Sequence, residues 1–270
     1  MYSLRIIWLA LSLLLASTAW AGRSCEETPI DPHAFRKAMA AGYASMQQLD
    51  KIKPQVALIA RIGQDLSAYQ LRFSHLGFVW RDPAQQGNWR VVHALNDCGT
   101  ATSAIWQEGL ANFFMDDPVA YDALLIVPPA ATQERLHALL QNNQLNALHS
   151  ERYNMVAYPF STRYQNSNQW ALENLARAMS KDIEIRNREQ AQQWLKLAGY
   201  QASELKINTL KRLGGRVFRA NIAFDDHPGD LRLAGRINTV TVDSIVNFIS
   251  NIGPGSRTYL VEAQPLPALP

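Results

Sequence analysis

An α+β fold, with helices flanking a mostly antiparallel sheet, is what the sequence predicts. Strand-like apolar runs follow one another between residues 55 and 95, two of them joined by a polar, hairpin-like loop. Segments with apolar spacings of three and four, opened by good caps, precede and follow those runs. The composition, 47% hydrophobic and 18% charged over 270 residues, belongs to a globular chain and excludes disordered or collagen-like classes.

Residues 1–21 read as an export signal: a lone Arg5, the apolar run Ile6 to Ala16, too short to span a bilayer, and the small-x-small site Ala19-Trp20-Ala21. Gly22-Arg23-Ser24 separate that site from Cys25, which disfavours a lipoprotein anchor. The expected mature chain is therefore a soluble periplasmic protein of 249 residues with 25 basic and 23 acidic side chains. Its near-neutral balance, with Lys and Arg spread along the chain, indicates no nucleic-acid partner.

Residues 22–54 form an N-terminal helical segment. Asp31-Pro32 caps it, and Phe35, Met39, Tyr43 and Met46 supply an apolar face, before Pro54 stops it. A core over residues 55–200 follows. Strands are predicted at 55–62, 72–80 and 89–95, with the loop Arg81 to Asn88 between the last two. Thr102 to Phe114 reads as a short helix or an irregular connection. Tyr121 to Val127 is a strand ended by Pro128-Pro129, Thr132 caps a helix to about Leu148, and Asn154 to Phe160 is a further strand. Asn166-Ser167-Asn168 opens a helix through Ala178, and another runs from Arg188 to Leu197 with Gly199 behind it. Residues 201–270 read as a C-terminal extension: a strand at Arg216 to Phe224, a helix at Thr241 to Ile249 and a strand at Arg257 to Ala263.

Cys25 and Cys98 are an even pair in an exported chain, so a disulfide is the default. It would close a loop of about seventy residues and stabilise by roughly 4 kcal/mol on chain entropy. A catalytic Cys98 is the rival reading. His75 and His93 fall on two neighbouring strands, where antiparallel pairing can set one imidazole to orient the other; a pair of satisfied strand histidines is the alternative. Ser167 stands at a helix start, where the triplet is explained as an N-cap, and where unsatisfied N–H groups would equally stabilise an anion formed at a nucleophile. Tyr158, Tyr164 and Trp170 are candidates for a cleft wall, with core packing as the alternative. His33, His137, His149 and His227 are scattered without metal-ligand spacing, and Gly214-Gly215 and Gly253-Pro254-Gly255 read as turns, so no metal and no cofactor are expected.

Three motifs in order, Ser74-His75-Leu76-Gly77-Phe78-Val79, Val91-Val92-His93-Ala94 and Asn166-Ser167-Asn168-Gln169-Trp170, resemble the circularly permuted branch of the NlpC/P60 superfamily. These are papain-like hydrolases and acyltransferases that include lecithin retinol acyltransferase relatives. Their late motif reads Asn-Cys-x-x-Phe/Trp. Over Tyr158 to Tyr164 and the motif after it, the chain also resembles a group of secreted proteobacterial proteins of unknown function. The resemblance covers roughly residues 55–180. It implies a permuted papain-like core with an α/β extension, acting on an amide or ester, with a cell-wall peptide as a candidate substrate. Ser167 would attack, His75 would be the base and His93 its orienter, with Tyr164, Asn166 and Trp170 near the substrate. Ser167 stands where the family has Cys, and a hydroxyl does not ionise beside a histidine as a thiol of pKa about 8.5 does. The competing reading is an inactive relative that binds a peptide or lipid in the same cleft.

Overall fold

Helices cover both faces of one six-stranded sheet in the computed structural model, which describes residues 31–116, 118–252, 254–263 and 266. The expected export signal and Cys25 lie outside these residues. Asp31 caps helix α1, Pro32–Ile52, by accepting from the His33 and Ala34 amides. Strands β1, Val56–Ile62, β2, His75–Asp82, and β3, Asn88–Asn96, follow as an antiparallel set. Next come β4, Ser103–Gly109, a single helical turn α2, Leu110–Phe113, and β5, Ala120–Val127. Helices α3, Ala130–Gln141, α4, Ser167–Met179, and α5, Arg188–Leu197, complete the middle of the chain. A small lobe holds β6, Ser203–Lys206, α6, Thr209–Phe218, α7, Gly229–Leu233, and β7, Arg236–Thr239. Helix α8, Val242–Ile252, and strand β8, Arg257–Val261, close the chain. The sheet order is β4-β3-β2-β1-β5-β8, every pairing antiparallel.

Strand alternation sorts the core into two layers. Leu58, Ala60, Leu76, Phe78, Val92 and Ile126 pack with α3, α4, α5 and α8, while Ala57, Ile59, Val79, Val91 and Leu125 pack with α1 and α2. Residues 201–270 are stitched into this body, since β8 pairs with β5 and Ile245, Phe248 and Ile249 of α8 join the larger layer.

Most of the face expected of α1 points outward: Phe35, Met39 and Tyr43 are exposed and only Met46 packs on the core, while Ala38, Ala41, Gly42, Ser45 and Leu49 are buried. Close approach decides this: a Cβ on Gly42 would lie 2.8 Å from the Ala111 backbone, so only a small-residue face fits against α2. Four further expectations are corrected. Thr102 to Phe114 contains a full strand, β4. The helix from Thr132 to Leu148 begins at Ala130 and ends at Gln141, with a separate 3-10 turn at Gln144–Leu148. Asn154 to Phe160 is not a strand: the Asn154 side chain takes the Val156 and Ala223 amides and donates to Ala223 O, replacing a ladder with one side chain. The run from Arg216 begins inside α6, because Asn208 caps that helix on the Lys211 amide and carries it through Gly214 and Gly215.

The irregular stretch before α4 is held by a buried ion pair. Glu173, fully buried on α4, accepts from Arg188 Nε at 2.8 Å, Gln165 Nε2 at 2.6 Å and Gln192 Nε2 at 2.8 Å. Arg188 also donates to the carbonyls of Thr162 at 3.0 Å and Tyr164 at 2.8 Å. Among the described residues no helix is long and apolar enough to cross a membrane. Removing one partner of such a pair leaves the other charge buried and unpaired. We expect Arg188→Met to cost about 3–5 kcal/mol, and the added Glu173→Met to restore part of it. Denaturant unfolding of the four chains checks this, and strictly additive costs would mean that the two side chains act separately.

Candidate functional site

Three strands build a polar row on the α1/α2 face of the sheet. Each element places its residue by alternation. His75 on β2 is diagonal to His93 on β3, and Glu108 on β4, opposite Val91, is diagonal to His93 in turn. Gly77 makes the first diagonal possible, since a Cβ there would lie 2.8 Å from His93 Cβ. His75 Nε2 and His93 Nδ1 are 2.8 Å apart, and His93 Nε2 is 2.9 Å from Glu108 Oε1. That second contact is close but bent away from the N–H axis. Arg61 on β1 is directly opposite His75 and extends the row. Its Nη1 donates to Phe113 O at 2.6 Å, its Nη2 meets Asp116 Oδ2 at 2.6 Å, and its guanidinium lies over the Phe113 ring. Phe113 roofs both imidazoles.

The tautomers follow from the partners. Glu108 is an acceptor, so His93 carries its proton on Nε2 and accepts at Nδ1 from His75 Nε2–H. The lone pair of His75 is then on Nδ1, at the half-buried end of the row, while His93 is fully enclosed. Burial first, then the Arg61 cation, then His93, hold His75 well below the ordinary histidine value. Burial also lowers His93, against the opposing pull of Glu108. Both rings are therefore neutral near pH 7, and His75 is a base in its unprotonated form.

The two histidines expected to meet do meet; the remaining candidates lie elsewhere. Ser167 opens α4, the helix that packs on the opposite face of the sheet, beside the Tyr153 hydroxyl. Among the described residues no hydrogen bond joins Ser167 to His75 or His93. The first turn of α4 nevertheless abuts the chain at His75. The pairing of β2 with β3 stops at Phe78, and the Asn168 amide fills the gap, accepting from Leu76 N at 3.2 Å and donating to Ser74 O at 3.1 Å. Asn166 caps α4 by accepting from the Gln169 amide and donates to Thr239 Oγ1. Trp170 is wholly buried against Phe78 and is core, not cleft wall. Tyr164 is half-buried, with the guanidinium groups of Arg152 and Arg163 over its ring. Cys98 sits in the exposed turn between β3 and β4. Glu108 and Arg61 escaped the sequence reading: without β4 recognised, nothing placed Glu108 two residues along from the neighbour of His93.

A separate cleft of about 730 Å³ is lined by Tyr158, Phe160, Ser161, Gln192 and Asp226, among others. Among the described residues no group of three or more His, Cys, Asp or Glu is placed to hold a metal ion.

A family model described as an uncharacterized protein conserved in bacteria (DUF2145) matches residues 48–249. No curated protein and no solved structure matches the chain.

The buried pair predicts an acid sensitivity. Below about pH 6.5 the unfolded chain takes up protons that the folded pair refuses, so stability present above that pH is lost as pH falls. Melting temperature is expected to drop between about pH 7.5 and pH 5, more shallowly in His75→Asn, with His149, also lowered by burial, contributing equally to both chains. Proton NMR of the His75 ring checks the cause. A ring that titrates at or above the ordinary histidine value would contradict it.

Proposed function

The chain belongs to this bacterial family, and from that premise we propose that it is a secreted, periplasmic papain-like hydrolase or acyltransferase. Its substrate is an amide or ester, a cell-wall peptide being the favoured class. The observation that carries this reading is the His75–His93–Glu108 row: a half-buried, neutral imidazole with a second imidazole and a carboxylate behind it to balance the charge that protonation creates. The six-stranded antiparallel sheet, with a capped helix starting at the Asn166-Ser167-Asn168 motif, supports a permuted papain-like core. In the proposed step the Ser167 Oγ–H proton passes to His75 Nδ1 as Oγ bonds to the carbonyl carbon. The proton then goes to the leaving amine or alcohol as its bond to that carbon breaks, and water or an acceptor releases the acyl group. Amides at the start of α4 would face the oxyanion. Apo sites of this kind are often loose and tighten on substrate, and Asn168 supports the approach of Ser167 by tying that turn to the chain on either side of His75.

A second reading, a peptide- or lipid-binding domain without turnover, is favoured by the packing of α4 on the face opposite the histidines and by the aromatic-lined cleft apart from them. A serine-reactive probe separates the two. The enzyme reading expects labelling of the wild type, none in Ser167→Ala, and a loss of at least about a hundredfold in rate in His75→Asn. Labelling indifferent to Ser167 removes it as nucleophile; no labelling of the folded wild type favours the binder.

The Cys25–Cys98 disulfide is proposed with this location, because an oxidising compartment joins such a pair. A thiol count on protein recovered from the periplasm should find none free, and two reactive thiols would overturn the link.

A further inference from the structure

The small lobe carries a surface that the candidate site does not use. From Lys206 to Arg219 the chain holds five basic residues, Lys206, Lys211, Arg212, Arg216 and Arg219, and no acidic one, although the whole chain has a net charge of only +3. Basic side chains are therefore concentrated here, against the even spread expected from the composition. Helix α6 occupies most of this stretch. Among its described side chains, Arg212 turns back onto the lobe and donates to Ile207 O at 2.9 Å, and a Cβ on Gly215 would stand 3.4 Å from Ile222. Leu210 and Leu213, three residues apart on one face, point outward at 81% and 57% exposure. Leu233 at the end of α7 is 79% exposed.

Single exposed leucines are ordinary; two that are one turn apart on a helix rich in lysine and arginine mark an interaction surface. We propose that this face docks on an anionic lipid surface, with Leu210 and Leu213 entering the boundary between headgroups and acyl chains and Lys206, Lys211 and Arg219 toward the phosphates. Charge complementarity selects the anionic headgroup. The leucines select lipid over nucleic acid, whose phosphates would leave them in water.

Vesicle flotation tests the proposal with residues 22–270, so that the apolar run Ile6 to Ala16 takes no part. Phosphatidylcholine vesicles containing phosphatidylglycerol are expected to carry the protein, and pure phosphatidylcholine vesicles are not. Leu210→Ser with Leu213→Ser should weaken binding about tenfold or more, as should Lys211→Gln with Arg219→Gln, and added salt should weaken it further. All four positions are exposed, so melting temperatures should stay at the wild-type value. Leu213→Ala alone provides a milder change should the serine pair unfold the lobe. No binding to the anionic vesicles overturns the proposal, as does binding indifferent to the leucines. Capture by duplex DNA in preference to vesicles overturns it in favour of a nucleic-acid surface. None of these outcomes depends on His75 or Ser167.

Discussion

A carboxylate with no water around it must be surrounded by donors, and Glu173 is such a group at the centre of this molecule. Three side chains from different places converge on it: Gln165 from the irregular stretch before α4, and Arg188 and Gln192 from α5. Burial raises its affinity for a proton, and the Arg188 cation and the three donors act against that rise. Arg188 then spends its remaining N–H groups on the carbonyls of Thr162 and Tyr164. The segment leading into Asn166 makes no sheet ladder of its own, so these bonds fix where α4 begins. That start sets the position of Asn168, and Asn168 closes the gap between β2 and β3 next to His75. A fault at Glu173 therefore reaches the imidazole row through three ordered links.

What could be read from the chain was whatever depended on local spacing. The Asp31-Pro32 and Asn166 caps, the strands at 56–62 and 120–127, and the meeting of His75 with His93 all rest on contacts within a turn or between sequential strands. What could not be read depended on shape at a distance. The choice of a small-residue face on α1 is made by Ala111, some seventy residues away. Asn154 looks like the first residue of a strand and is instead a bracket for residue 223. Glu108 carried no local sign of its partner, because β4 is partly exposed and lacks a clean alternation. Trp170 has the residue type of a cleft wall, and only the packing of α4 on Phe78 makes it core.

The polar row is unusual in its economy. Arg61, His75, His93 and Glu108 come from four adjacent strands, each strand giving one side chain to the same face. A sheet is stiffer than a loop, so the distances between these groups are set by strand spacing and by the missing side chain at Gly77. The cation at one end and the carboxylate at the other act oppositely on the imidazoles between them. The row is thus polarised along its length.

The last of the described strands, β8, pairs with β5 well over a hundred residues before it. Until it arrives, β5 presents a bare ladder edge of apolar sequence, Ala123 to Val127, open to any other extended chain. Completion of the sheet is therefore a late, long-range event with a high entropic threshold. During synthesis the body waits, unfinished and adhesive, for the five residues of β8 to emerge. Loss of β8 would act less like trimming a tail than like withholding the stave that closes one side of the sheet.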